Sequence, residues 1–289
     1  MRVHLCGVRG STPAVGAEFN EVGGNTSCVA LAHDDEAFPR LLLDAGTGLR
    51  AVSKLMAGEA FHGTILLGHL HWDHTQGLPF FRSADRPDAV TRVMLPEQGS
   101  PPLDLLGRFM SPPAFPIRAS ELRGSWSFDS IDEGEHNIEG FSVLAREIPH
   151  SGGRTMGYRV SDEWSSLAYL SDHGPGREGG PGPDGFGPYH EAAMDLCRGV
   201  DLVIHDSQYT ASELPLRLHY GHSAADYAVA LARRAGASRV LLFHHDPERT
   251  DTEVAAIERS MRMGETIAVD AAREGVTIRL GASRSDQSP

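Results

Sequence analysis

Short apolar runs alternate with amphipathic stretches along most of this chain. The runs are rich in Val, Ile and Leu and are bounded by polar residues and turn formers, as buried strands are. They predict strands at Val3–Cys6, Cys28–Ala32, Arg40–Leu43, Thr64–Gly68, Arg92–Leu95, Asp201–Ile204, Val240–Phe243 and Val276–Leu280. Helical spacing predicts helices at Leu49–Ala57, Tyr189–Cys197, Ala224–Ala235 and Thr252–Glu274, the last interrupted at Gly264. This alternation predicts an α/β fold of four layers, with two sheets between helices.

Two long stretches follow neither period. Residues 96–124 combine proline pairs with apolar side chains, so this segment is a lid over a ligand, a subunit contact or simple packing on the core. Residues 174–188 are dominated by glycine and proline and form either a rim beside the functional site or a plain linker. His173 and Arg177 are candidates to touch a substrate there. We expect the polar end of the chain, residues 282–289, to be disordered.

The densest chemistry lies in His69-Leu-His-Trp-Asp-His74, which directly follows the predicted strand Thr64–Gly68. If His69 and His71 continue that strand, they point to one face and can share a metal ion. Asp73 and His74 then fall in the turn beyond it, where they can reach a second ion. Burying so many of these groups without a metal would be costly, which disfavours a polar loop with incidental histidines.

Three further candidate ligands end other apolar runs. His150 ends the run from Phe141, Asp172 ends the run from Leu167, and His244 ends the run from Arg239. A sheet presents its chemistry at the carboxyl ends of its strands, so these residues and the histidine-rich segment make a coherent set. His245 is the neighbour of His244, but the phase of the strand favours His244.

The order His-x-His-x-Asp-His, His, Asp, His resembles the metallo-β-lactamase-fold hydrolases over nearly the whole chain. The flanking sequences resemble the phosphodiesterase branch, which includes ribonuclease Z and small bacterial and phage cyclic-nucleotide phosphodiesterases. Those flanks are Gly7–Pro13, Gly23–Cys28, Leu43–Gly48, His205–Tyr209 and Gly221–Ser223. The resemblance implies a four-layer αββα sandwich of the metallo-β-lactamase type.

The resemblance also assigns the ligands of two divalent metal ions. It implies that one ion is held by His69, His71 and His150, that the other is held by Asp73, His74 and His244, and that Asp172 bridges the two. Ligands that offer only nitrogen and oxygen suit zinc and also admit manganese or iron.

The same resemblance implies a catalytic apparatus in which two metals hold a bridging hydroxide and clamp a phosphoryl group. Asp73, His222 and Asp206 are then the candidate catalytic residues, with His222 and Asp206 supplying the proton for the leaving oxygen. Ribonuclease Z typically has a glutamate where Asp206 stands. Ser223-Ala-Ala-Asp226 predicts a capping box that starts a helix, whose amino terminus favours an anionic substrate. Asp44 is expected to support a ligand histidine.

Composition limits which partners the protein can bind and indicates its cellular compartment. The 289 residues carry a formal charge of −13, which opposes binding to a polyanionic backbone, so long nucleic acid is disfavoured. Only two predicted strands, Met156–Ser161 and Leu167–Ser171, separate His150 from Asp172, which leaves no room for the arm with which ribonuclease Z grips transfer RNA. Three dispersed cysteines, no leader and no apolar run of membrane length predict a cytoplasmic protein without membrane contact. We predict a single domain at residues 1–281.

These observations predict a dinuclear metal-dependent phosphodiesterase that hydrolyses a small phosphodiester, with a cyclic nucleotide as the leading candidate. The resemblance further implies a homodimer. Two alternatives remain open: an RNA 3'-end-processing endoribonuclease of the ribonuclease Z type, and a lactone or ester hydrolase on the same metal site. A ligand-binding member without catalysis is disfavoured because all seven expected ligand positions are present.

Overall fold

The computed structural model describes residues 1–178 and 191–281. Within these ranges the strands form two mixed sheets of seven strands each. The predicted tail, residues 282–289, lies outside the described residues, as do residues 179–188 of the glycine-proline stretch and the side chain of Arg177.

The first sheet is built mainly from the amino-terminal half of the chain. Its strands are β1 (Arg2–Gly7), β2 (Cys28–Ala32), β3 (Leu41–Leu43), β4 (His62–Leu66), β5 (Val90–Pro96), β6 (Ser125–Ile131) and β14 (Thr277–Arg279). They lie in the order β14-β1-β2-β3-β4-β5-β6. The pairings from β14 to β3 are antiparallel and those from β3 to β6 are parallel.

The second sheet repeats this plan with the carboxyl-terminal half. Its strands are β7 (Gly134–Ile138), β8 (Phe141–Ile148), β9 (Thr155–Ser161), β10 (Ser166–Leu170), β11 (Leu202–Asp206), β12 (Arg239–Phe243) and β13 (Ala268–Ala271). They lie in the order β13-β12-β11-β10-β9-β8-β7. The pairings from β13 to β10 are parallel and those from β10 to β7 are antiparallel.

Helices cover the outer faces of both sheets. The helices of the described residues are α1 (Leu49–Leu55), α2 (Trp72–Thr75), α3 (Pro102–Gly107), α4 (Glu191–Cys197), α5 (Leu214–Arg217), α6 (Ala225–Arg234) and α7 (Asp251–Arg262). Among them, α1 and α3 pack on the first sheet, and α4 and α6 pack on the second. In the two described ranges, every helix is too short or too polar to cross a bilayer.

Three apolar cores separate the layers. The central core lies between the two sheets and joins residues such as Leu31 and Leu43 of the first sheet to Tyr158 and Phe243 of the second. A second core packs α1 and α3 against the first sheet, and a third packs α4 and α6 against the second sheet. The predicted four-layer αββα sandwich is therefore confirmed.

Parallel registers bring the ends of several strands to one edge. Leu43 of β3 pairs with Leu66 of β4 in the first sheet. In the second sheet, His205 of β11 pairs with Leu170 of β10, and Phe243 of β12 pairs with Asp206. Residues that follow these strands directly must lie close together, which is where the candidate ligands stand.

The predicted helix at Thr252–Glu274 is wrong in its second half. The helix α7 ends at Arg262, Gly264 has a φ of +77°, and residues 268–271 then form β13, which pairs in parallel with β12. Helical spacing of apolar residues over this range could not reveal a strand whose partner lies nearly thirty positions earlier in the chain. The interruption at Gly264 was predicted correctly.

The segment between β5 and β6 is less irregular than its prolines suggest. It contains α3, whose Leu105 and Leu106 are buried with Met110 against the first sheet. Of the three alternatives for residues 96–124, packing on the core is therefore correct for these side chains. The strands β6 and β7 were not predicted, because both lie at sheet edges and carry many exposed polar residues.

Candidate metal centre

Three histidines form the first group of the centre. The strand β4 ends at Leu66, so His69 and His71 lie in the loop beyond it and not on the strand as predicted. The loop nevertheless brings their ring centroids to 4.3 Å. His150 follows β8, and its Nε2 lies 3.4 Å from Nδ1 of His71. One nitrogen from each of the three rings lies within 4.8 Å of the others, which is the geometry of a shared cation.

Asp73, His74 and His244 form the second group. Asp73 and His74 lie in the single turn of α2, and His244 follows β12. The Oδ2 atom of Asp73 lies 3.1 Å from Nε2 of His74 and 3.2 Å from Nε2 of His244. His244 has a φ of +57°, a backbone conformation that costs free energy for a residue with a side chain.

Asp172 stands between the two groups, as the sequence predicts for a bridging ligand. Its Oδ1 faces the first group, at 3.8 Å from Nε2 of His69 and 3.6 Å from Nε2 of His150. Its Oδ2 faces the second group, at 3.0 Å from Nε2 of His74 and 3.4 Å from Nε2 of His244. One carboxylate thus offers one oxygen to each side.

Several polar atoms of this cluster are buried without a hydrogen-bond partner. In the part of the chain that the structure describes, these atoms are both ring nitrogens of His69, together with Nε2 of His74 and Oδ2 of Asp172, which lie 3.0 Å apart but are not aligned as a hydrogen bond. Leaving such groups unsatisfied in a protein interior costs free energy. Divalent cations would satisfy them, since neutral imidazole and ionised carboxylate are what such ions bind. The residues present therefore fit a metal site.

The protonation of the cluster differs between the two groups. Burial lowers the pKa of His69 and His71, and lowers that of His150 to about 4, so these rings are neutral at neutral pH. Burial also opposes charge on His244, but Asp172 and Asp73 outweigh it and raise its pKa to about 9. Burial likewise opposes charge on His74, but the nearby carboxylates, Asp172 first, outweigh it and raise the pKa of this ring. In the absence of a cation, the second group therefore holds protons that the first does not.

Asp44 fixes the orientation of His74 in the second group. Its Oδ2 accepts hydrogen bonds from Nδ1 of His74 at 2.7 Å, the hydroxyl of Tyr169 at 2.7 Å and the hydroxyl of Ser171 at 3.1 Å. Its Oδ1 accepts the backbone N–H of Gly68. With Nδ1 of His74 bonded to Asp44, Nε2 is the nitrogen that faces the centre, and carboxylates that hold the other nitrogen of a ligand histidine do the same in metal sites. The expected contact of Asp44 with a candidate ligand histidine is present, while the role of His74 as a ligand stays a prediction.

Other ring orientations are fixed by groups that the sequence did not reveal. Nδ1 of His150 donates to the carbonyl oxygen of Gly221 at 2.7 Å. Nδ1 of His244 lies 3.2 Å from Oε1 of Gln208, and the backbone N–H of Ser11 donates to Asp73 at 2.7 Å. Gly221, Gln208 and Ser11 all lie in flanks with family resemblance, which is the one signal that could have identified them.

His222 and Asp206 are paired beside the centre. Nδ1 of His222 lies 2.8 Å from Oδ2 of Asp206, so the aspartate reaches the ring without the extra carbon of a glutamate. Asp206 also accepts the backbone N–H groups of Gln208 and His173. The same nitrogen of His222 lies 3.7 Å from Asp172, which brings the pair to the centre itself.

The predicted capping box after His222 does not form. The helix α6 has Ala224 at its N-cap position with no side-chain cap. The Ser223 hydroxyl instead donates to the carbonyl oxygen of His173 at 2.6 Å, and Asp226 accepts the backbone N–H of Ala211. Both side chains therefore hold neighbouring loops, although the amino terminus of α6 does lie directly after His222, as predicted.

Two other histidines are buried supports. His173 is fully buried, and its Nδ1 donates to Nε2 of His205 at 2.9 Å, so the suggested contact with a substrate is wrong. His205 in turn donates to the carbonyl oxygen of Asp206 at 2.7 Å. His245 bonds the carbonyl oxygen of Ala272, away from the centre, which agrees with the choice of His244.

A cavity of ≈ 570 Å³ opens above the centre. His71, Asp73, Asp172 and His222 reach into it from the floor, and aromatic side chains stand on its walls. One of these is Trp72, which is 72% exposed. The volume lies within the usual range of ligand pockets, about 300–1,000 Å³.

The fold and this centre define a metal-dependent hydrolase of the metallo-β-lactamase type. The chain belongs to the beta-lactamase superfamily, whose domain model matches residues 39–245. Both the predicted family and the predicted enzyme class are thereby confirmed.

Curated relatives include several proteins named ribonuclease Z. The protein from Geobacillus kaustophilus is 28% identical over 221 residues, which cover 62% of this chain and 69% of that protein. The protein from Lacticaseibacillus casei is 25% identical over 274 residues, which cover 82% of this chain and 85% of that protein. The chain is thus similar to ribonuclease Z along most of its length.

Solved structures extend the likeness of the fold. A diphosphatase from the PhnP family is 17% identical, with a TM-score of 0.70 over 96% of this chain and 97% of that chain. The short form of human tRNase Z is 19% identical, with a TM-score of 0.65 over 97% of this chain and 99% of that chain. At these identities the structures establish a shared architecture.

Proposed function

We propose that this chain is a phosphodiesterase that binds two divalent cations and hydrolyses a small phosphodiester, with a cyclic nucleotide as the leading candidate. The observation that carries the proposal is the position of Asp172, whose two oxygens face two separate groups of ligands. In the proposed assignment, His69, His71 and His150 hold one ion, Asp73, His74 and His244 hold the other, and Asp172 touches both. Zinc is the favoured metal and manganese the alternative.

Cations in these positions supply positive charge for the phosphoryl oxygens and activate water for attack. The chain's own residues supply the rest. Asp206 holds Nδ1 of His222, which leaves Nε2 as the nitrogen that carries a proton to the leaving oxygen. The burial of Asp206, together with its bonds from Gln208 and His173, keeps the ring in one orientation.

The size of the substrate is inferred from charge and topology. The formal charge of −13 weakens the attraction that long RNA requires. The segment between His150 and Asp172 contains only β9, a turn and β10, so nothing extends from it to grip a large ligand. We further propose that the protein is cytoplasmic and forms a homodimer.

An RNA-processing endoribonuclease is the second candidate, because the curated relatives carry the name ribonuclease Z. The two candidates share the centre and differ in the substrate. Hydrolysis of a lactone or ester is weaker than either, because a carbon ester has less need of the His222–Asp206 pair for its leaving group.

The test is metal analysis followed by a turnover screen. The substrates are bis-p-nitrophenyl phosphate, a panel of cyclic nucleotides and a transfer-RNA precursor, and Asp73→Ala is compared with Asp35→Ala, which alters an exposed turn. We expect cyclic-nucleotide cleavage that falls at least ~100-fold in Asp73→Ala and is unchanged in Asp35→Ala. Cleavage of the precursor alone would favour the second candidate. Bound metal without any phosphodiester cleavage would make lactones and esters the leading candidates for the substrate.

A further inference from the structure

Trp72 links the metal centre to a second cavity. It lies between two proposed ligands in sequence, it is 72% exposed, and its side chain lines both the cavity above the centre and the neighbouring one. An exposed aromatic ring that lines two adjoining cavities offers a large apolar contact surface to a ligand in either one. Trp72 is therefore within reach of a ligand in either cavity.

The second cavity has a volume of ≈ 320 Å³ and an aromatic lining. Its apolar wall consists of Trp72, Pro79, Phe80, Phe109, Met110 and Phe115. The rings of Phe80 and Phe115 meet edge to face at 6.1 Å, and Phe80 is 60% exposed. The volume lies near the lower bound of ligand pockets, about 300–1,000 Å³, and is too small to seat a protein surface.

Arg108 adds a positive charge to the same place. Its side chain lines this cavity and a third one of ≈ 240 Å³ that extends to His69. Among the residues that the structure describes, Arg108 is exposed and its side chain has neither a hydrogen bond nor an ion pair. In a chain with 39 acidic and 26 basic residues, an unpaired guanidinium beside the centre is complementary to an anionic ligand.

We propose that this second cavity binds the base of a nucleotide whose phosphate occupies the metal centre. Trp72 stacks on the base, the phenyl rings enclose it, and Arg108 contacts its edge or a phosphate oxygen. The proposal rests on the proposed function for the identity of the ligand as a nucleotide. It goes further by assigning substrate recognition to Trp72 and Arg108, outside the ligand set.

Direct binding tests this without catalysis. The chain has three tryptophans, and stacking of a base quenches an exposed indole, so we titrate intrinsic fluorescence with a nucleoside 5'-monophosphate and with ribose 5-phosphate. We expect saturable quenching by the nucleotide and none by the sugar phosphate. Quenching disappears in Trp72→Ala and persists in Trp164→Ala, the matched control, because Trp164 is also exposed, at 66%, but lies away from both cavities.

Kinetics with the cyclic nucleotide that the wild type cleaves provide the second readout. We expect KM to rise ~10-fold in Trp72→Ala and in Arg108→Ala, with kcat changed less, because in the proposal these side chains bind the nucleotide and do not touch the reacting atoms. Trp72→Phe should restore most of the affinity. Arg50→Ala, an exposed arginine outside the second cavity, should leave KM unchanged. Metal content is measured in every variant, since Trp72 is flanked by His71 and Asp73.

The outcomes separate this inference from the proposed function. Nucleotide quenching of Trp72 in a protein that cleaves no phosphodiester would support the cavity and refute the activity. Cleavage of a cyclic nucleotide with KM unaltered in Trp72→Ala and Arg108→Ala, or equal quenching by ribose 5-phosphate, would overturn the cavity while the activity stands. A KM that rises only when metal is lost would also overturn it.

Discussion

Two buried clusters of charged side chains in this protein differ in how completely they satisfy one another. Around Asp172, histidines approach a carboxylate while several nitrogens and one oxygen remain without partners in the described residues. Around Glu258 of α7, both carboxylate oxygens are fully engaged, by Arg262 and Arg273 and by the backbone N–H of Ala271. The first cluster needs a ligand to be complete, and the second is complete by itself.

This difference separates function from stability within one fold. A buried carboxylate with all its partners anchors a tertiary contact, here between α7 and β13. A buried carboxylate amid unsatisfied imidazoles stores a free-energy cost that a bound cation relieves. Substitution of the two carboxylates should therefore have opposite consequences for activity and for folding.

Asp172→Asn should have the largest effect. The amide offers one oxygen in place of two, so we expect the variant to lose metal and to lose at least ~100-fold in kcat/KM. Folding without metal should be retained, because Asp172 is the main group that raises the pKa of His74 and His244, and without its charge both rings can be neutral in the interior. The measurements are the metal-to-protein ratio, phosphodiester turnover and thermal unfolding of the chelated protein. Full metal content with full activity would show that the cluster is not the ligand set.

Removal of metal from the wild type should have the next largest effect. A ligand present at 100 times its dissociation constant stabilises the folded state by about 2.7 kcal/mol. For a chain of this size we therefore expect chelation to lower Tm by ~5–10 °C and added Zn²⁺ to restore it. Asp172→Asn serves as the control, and its Tm should not respond to the chelator. An equal response in both proteins would place the stabilising metal elsewhere.

Much of this contrast could be predicted from the sequence, because ligands at the ends of apolar runs are a local signal. The spacing of His69, His71, Asp73 and His74 is visible in six residues, and the runs that end at His150, Asp172 and His244 are equally local. The predicted residues do converge in the structure, although metal binding by them stays a prediction. The Asp44 support was predicted for the same reason, since it follows a short strand.

What could not be predicted depends on contacts between distant segments. The carbonyl of Gly221 holds His150 across 71 positions, and Glu258 holds the N–H of Ala271 on a strand that helical spacing concealed. The exposed position of Trp72 could not be predicted either, because its segment is a loop and a helical turn. The periodicity of apolar residues indicates which face of one helix or strand is buried. It carries no information about contacts between two elements that are distant in sequence.

Glu258→Gln should have the smallest effect on the centre and a clear effect on stability. The amide cannot pair with both arginines, so we expect a loss of about 1–3 kcal/mol in the free energy of unfolding. Metal content and kcat should not change, because the cluster contains no candidate ligand. Urea unfolding measures the free energy of unfolding, and metal analysis measures the metal content. A large loss of metal in this variant would mean that the two clusters are coupled.

The stability that Glu258 contributes should depend on pH. Burial raises the pKa of Glu258, but its hydrogen bonds and charge contacts with Arg273 and Arg262 outweigh burial and hold the pKa below its ordinary value of 4.5. A carboxyl with a depressed pKa in the folded state contributes its stability above the ordinary pKa and loses it as pH falls through the folded value. The difference in unfolding free energy between wild type and Glu258→Gln should therefore be constant from pH 7 to about 5 and shrink below about 4.5. A difference that grew on acidification would contradict the assignment of Glu258 as an ionised anchor. The folded state would then gain more stability from the protonated carboxyl group than from the ionised one paired with its arginines.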